Sequence, residues 1–109
     1  MREIKFRAWD KKREEMLHYE GIFNTPDIRF DTSILMQYTG LHDEKGKEIY
    51  EGDILRDEQG EGFVVWCEGD AMWGVEKNED WVYPFSCNVY RNTHEIIGNI
   101  YENKDLLNN

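Results

Sequence analysis

A chain of 109 residues and 13.1 kDa is the size of one domain with one modest core, which excludes two independently folded units. Hydrophobic residues at 39% and aromatics at 14% argue against a disordered chain, and 13 Lys and Arg against 23 Asp and Glu give a net charge of -10 that opposes approach to nucleic-acid phosphates and anionic lipid. No run approaches the roughly 18 apolar residues of a membrane span, and residues 1–15 hold no apolar signal block, so the expectation is a cytoplasmic protein.

Ile4-Lys5-Phe6-Arg7-Ala8-Trp9 alternates apolar and basic side chains, the two-residue period of a strand with one covered face. Asp10 to Glu15 holds no apolar residue and predicts a turn into a short partner strand around Met16 to Tyr19. Residues 20–33 carry Gly21, Asn24, Pro26 and Asp27 between single apolar anchors and predict a long loop pinned to the core. A second hairpin is expected from Ile34 to Leu41 and from Ile49 to Leu55, with Gly46 closing the turn and Gly52 marking a bulge or sharp bend. Gly60-Glu61-Gly62 predicts a hairpin tip, and Phe63-Val64-Val65-Trp66 is continuously apolar, as a central strand buried on both faces would be.

Beyond it, Ala71 to Val75 and Trp81 to Phe85 predict two further strands, the second at a sheet edge because Pro84 cannot donate a ladder hydrogen bond. Glu95 to Tyr101 predicts the last strand, and Asn103 a cap on a final helical turn through Leu106 and Leu107. The expected fold is therefore mainly β over residues 1–109: a small SH3-like barrel or a bent, partly closed antiparallel sheet with a short C-terminal helical turn.

Charge is uneven, with seven basic and six acidic side chains in residues 1–30 against six and 17 in residues 31–109. Arg2, Lys5, Arg7, Lys11, Lys12 and Arg13 crowd the first segment, where a solvated strand face paired with local acids is expected in preference to a phosphate site. Glu48, Glu51, Asp53, Asp57, Glu58 and Glu61 read as outward positions on folded strands. Cys67 and Cys87 are expected to be free thiols.

The residues that could carry chemistry form no recognisable constellation. His18, His42 and His94 lack metal-pair spacing, so no metal or cofactor is expected. Cys87 and His94 carry no local mark of an activated nucleophile and base. Ser33 and Ser86 lie in no nucleophile elbow. Asp53, Asp57 and Glu61 recur at four-residue steps that would align on a helix but scatter on strands and turns. Trp9, Trp66, Trp73 and Trp81 suggest core and a possible subunit contact more than base stacking, because Glu68, Asp70, Glu76, Glu79 and Asp80 surround the later ones against the single Lys77. Those five acids are the candidate interaction surface.

Three blocks resemble the YopX family of phage and prophage proteins: Ile4 to Asp10; Leu35 to Leu41 running on through Gly46 to Ile54; and Ile97 to Asn103. The likeness covers nearly the whole chain, with little that is diagnostic in residues 56–94. It implies a compact, mostly β domain with an SH3-like component, encoded by bacteriophages or prophages and acting in the bacterial host cell. It brings no catalytic residues with it. The leading expectation is a non-enzymatic binding or accessory protein with a protein partner or self-association. The alternatives are an acidic mimic of nucleic acid that occupies a host protein's basic groove, a divalent-metal-dependent hydrolase or nuclease, and DNA binding through the N-terminal basic stretch.

Overall fold

Alternation gives way to curvature wherever a glycine or an aspartate turn interrupts it, and the computed structural model shows the result as two antiparallel sheets. The structure describes residues 4–20, 33–57, 60–69, 71–78, 81–84 and 94–107. In chain order the strands are β1 (Lys5–Asp10), β2 (Glu15–Glu20), β3 (Ser33–His42), β4 (Glu48–Tyr50), β5 (Asp53–Asp57), β6 (Gly60–Cys67), β7 (Met72–Asn78), β8 (Trp81–Pro84) and β9 (Glu95–Asn99), followed by a 3-10 turn at Lys104–Leu107. One sheet has the order β2-β1-β3-β4 and the other β8-β7-β6-β5-β9. The mainly β, curled and partly closed architecture expected from the sequence is the one observed. The long loop expected over residues 20–33 falls largely outside the described residues, as does Cys87, whereas Glu20 and Ser33 end β2 and begin β3. Cys67 is a half-buried free thiol.

Ile49 to Leu55, expected as one strand with a bend, is two strands in two sheets. The break falls at Gly52, whose φ of +88° lies in the left-handed region and whose added Cβ would stand 3.1 Å from Met36 Sδ. Gly52 N–H donates to Val64 O and its carbonyl accepts from Ile100 N–H, both at 2.9 Å. One residue thus ties β6 and the C-terminal loop to the junction between the sheets.

β6 is central, as its apolar run implies, lying between β5 and β7. Directly opposed pairs Val64–Val75 and Trp66–Trp73 put these four side chains on one face. Ile49, Leu55, Val64, Trp73 and Val75 form the buried cluster, with Leu41 and Ile96 packed against it. Trp66 corrects the expectation of a strand buried on both faces: it lies where that row runs out and is 42% exposed, while Trp73 touches it edge-on at 5.0 Å. β8 is an edge strand ending in Pro84, as the missing N–H requires.

Candidate functional site

The charged residues sort into those built into the framework and those left outside it. Arg7, expected on a solvated face, is buried: its Nη2 donates to Asp53 Oδ1 at 2.8 Å and to the carbonyl of Glu51 at 3.1 Å, and its guanidinium lies 4.9 Å from the Tyr50 ring centre. Asp53, expected to point outward, is buried with it and also accepts from Tyr50 N–H at 2.8 Å. Burial pushes the Asp53 carboxyl above its usual range, against the opposing pull of Arg7. The pair spans the two sheets, because Arg7 belongs to β1 and Asp53 to β5. Lys5 pairs with Glu48 across the same region. Alternating basic residues read as a solvated surface because a strand pattern in sequence does not tell which face a second sheet will cover.

Asp43 is likewise buried, at the turn between β3 and β4. Its Oδ1 accepts from Lys45 N–H and Lys47 N–H at 2.9 and 2.8 Å, and its Oδ2 accepts from Ile96 N–H at 3.1 Å. Burial alone would raise this carboxyl, but the three backbone donors hold it below its usual range. The turn thereby grips β9, and Glu44 N–H donates to His94 O at 2.9 Å beside it.

The carboxylates at four-residue steps go to separate neighbours: Asp53 to Arg7, Asp57 to within 3.3 Å of buried His94, and Glu61 to within 3.6 Å of Arg56. Among the described residues no three His, Cys, Asp or Glu side chains gather as metal ligands. Of the five acids named as a candidate surface, Glu68 is exposed in the turn before β7 and Glu76 is half-buried near the other end of that strand, opposite Phe63. The structure does not bring these two together. Asp70, Glu79 and Asp80 lie outside the described residues.

What the structure does assemble is a groove that sequence reading did not single out. Asp10 Oδ1 accepts from Lys12 N–H and Arg13 N–H at 2.9 and 3.1 Å, and Glu14 N–H closes the turn onto Asp10 O at 2.8 Å. At the other end of the chain, Asn99 Oδ1 accepts from Tyr101 N–H and Glu102 N–H at 3.0 and 2.9 Å, while Asn103 Oδ1 accepts from Asn99 N–H at 3.1 Å. Gly98 is required here, because a Cβ would overlap the Asn103 side chain. Asn103, expected to cap the helical turn with its side chain, uses that side chain on Asn99 and offers only its carbonyl to Leu106 N–H at 3.1 Å.

Between these two fixed turns Trp9 and Tyr101 lie nearly parallel, at 17° with ring centres 5.8 Å apart, and line an open groove of about 750 Å³. Lys11 and Glu14 from the first turn and Glu102, Lys104 and Asp105 from the C-terminal segment complete the lining. Asn99 Nδ2 donates to Glu102 Oε1 at 2.8 Å, so this carboxylate is held in place. Burial, with Glu51 nearby, raises the Tyr101 phenol above its usual value. The three sequence blocks meet here: Trp9-Asp10 from the first, Gly52 from the second, where an added Cβ would stand 3.7 Å from the Tyr101 ring, and Asn99 to Asn103 from the third. The signal was present in those blocks, but glycines and Asx turns read as fold punctuation until the fold juxtaposes them.

Fold and groove together define a curled, all-antiparallel β domain whose two ends of chain close around a shared surface feature. The family model described as YopX protein matches residues 18–108, and the chain belongs to the YopX family. A crystal structure of protein EF1440 from Enterococcus faecalis is similar over 98% of this chain and 99% of its own, with 28% identity and a TM-score of 0.68. No curated protein matches the chain. Among the described residues no helix is long and apolar enough to cross a membrane.

Proposed function

We propose that this chain is a phage- or prophage-encoded binding or accessory protein that acts by non-covalent contact with a protein partner in the bacterial cytoplasm. The observation that carries this reading is the groove: two turns locked by their own Asx side chains hold its aromatic and charged lining in place before any partner arrives. Such preorganisation lowers the ordering cost of association. The buried carboxylates of Asp43 and Asp53 are engaged in turns and in the inter-sheet pair.

The second part of the proposal is the Glu68 end of the β6–β7 hairpin, in place of a single surface of Glu68, Asp70, Glu76, Glu79 and Asp80, because Glu76 stands near the other end of β7. Exposed Trp66 beside the Glu68 turn supplies an aromatic anchor there, and the net charge of -10 favours a basic partner. The test is affinity capture from bacterial lysate with wild type, Trp9→Phe with Glu102→Gln, and Trp66→Ala with Glu68→Gln. The reading predicts a protein that wild type retains at low salt and that at least one variant pair loses. Retention of nothing, or equal retention by all three proteins at every salt concentration, contradicts it.

A further inference from the structure

We infer that the Trp9–Tyr101 groove receives an arginine side chain from a protein segment that carries an acidic residue beside it. This inference rests on the reading of the chain as a partner-binding protein and names what that partner presents. Three features select the guest. First, Glu14, Glu102 and Asp105 outnumber Lys11 and Lys104, so the groove is locally negative on a chain that is negative overall. Among the described residues, Lys11, Glu14, Lys104 and Asp105 are left without an ion pair, so these charges are available to a guest. A cation is therefore drawn in, and an isolated anion is not.

Second, two aromatic rings line the groove, and an aromatic π face attracts cations and stacks best with a planar one. Guanidinium is planar, sheds water more readily than ammonium, and forks onto a carboxylate through two parallel hydrogen bonds. Glu102 is the carboxylate suited to that fork, because Asn99 Nδ2 already fixes one of its oxygens from behind at 2.8 Å. Third, the two lysines repel a run of basic residues and match a single carboxylate flanking the arginine. A nucleic-acid strand fits poorly, since its phosphates would face three carboxylates.

The probe is a capped Gly-Arg-Glu-Gly peptide, compared with the same peptide carrying citrulline, which keeps the shape and removes the charge. Titration into the full-length protein is followed by NMR at the Trp9 indole N–H. The arginine peptide is expected to shift the Trp9 signal saturably, citrulline to weaken binding about tenfold, and Glu102→Gln about fivefold with an unchanged thermal midpoint. Gln retains an acceptor for Asn99, so the loop stays in place.

The inference is overturned if the two peptides bind alike, if no peptide moves Trp9, or if the shifts fall on Trp66 instead. Glu102-dependent capture of a lysate protein without any arginine-peptide response removes this inference and leaves the binding-protein reading standing. Absence of capture removes the reading itself.

Discussion

The junction between the sheets and the interior of the five-stranded sheet are both buried, yet they are held by opposite means. At the junction, Arg7 and Asp53 are charged partners with side chains only 6% and 3% exposed. In the five-stranded sheet, Leu55, Val64, Trp73 and Val75 pack without any charge among them. An apolar cluster loses stability in proportion to the volume removed. A buried ion pair is unforgiving in a different way, because desolvation of both charges is balanced only while both are present. The ion pair therefore fixes how the sheets meet, and the apolar cluster, which also takes in Ile49 of β4 with Leu41 of β3 against it, supplies the non-directional driving force across both sheets.

Removing one charge gives the largest expected effect. Asp53→Ala leaves Arg7 buried without its carboxylate and should cost about 3–5 kcal/mol in urea unfolding, whereas Arg7→Met with Asp53→Leu should recover most of it. If the double variant is no more stable than the single one, the junction depends on more than charge balance. In the apolar region Leu55→Ala should cost about 2–5 kcal/mol, towards the lower end if β5 and β6 close around the void. Equal salt sensitivity of these two losses would undo the contrast between the regions.

Asp43 offers a sharper test because its effect depends on pH. Its folded carboxyl titrates below the unfolded value, so the stability it contributes is present above the unfolded value and is lost as pH falls through the folded one. Asp43→Asn should cost about 1–3 kcal/mol at neutral pH and flatten the loss of stability in acid. An acid-unfolding curve unchanged by the substitution contradicts the assigned hydrogen bonds. Gly98→Ala should cost about 1–3 kcal/mol through displacement of the Asn103 side chain, and should loosen Tyr101 in hydrogen exchange. At the small end, Trp66→Ala should cost about 0.5–1.5 kcal/mol, since what it removes is the edge-on contact with Trp73 at the end of the row.

The strands, the turns at Gly46 and at Asp10, the edge position of Pro84 and the central place of β6 were legible because each depends on local patterning. Period two, a positive φ and a missing N–H leave marks in a few consecutive residues. Arg7 and Asp53 misled because they alternate with apolar neighbours as surface residues do, and their burial follows from a contact between residues 46 positions apart in sequence. Trp66 misled in the opposite sense: a continuous apolar run marks a central strand but not where the covering layer stops. The groove was invisible for the same reason as the ion pair, since Trp9 and Tyr101 come from opposite ends of the chain. Asn103 was correctly placed at the start of the last helical turn, but its side chain serves Asn99 rather than the turn itself.

The central claim is that the buried ion pair is framework and the groove is where partners are met. The direct measurement is titration of the capped Gly-Arg-Glu-Gly peptide into the Arg7→Met, Asp53→Leu double variant, with its fold verified by thermal unfolding. A folded double variant that binds the peptide as wild type does, alongside a Glu102→Gln variant that binds it about fivefold more weakly, is the predicted result. A folded double variant that no longer binds, with Glu102→Gln unaffected, contradicts the claim and moves the site to the junction.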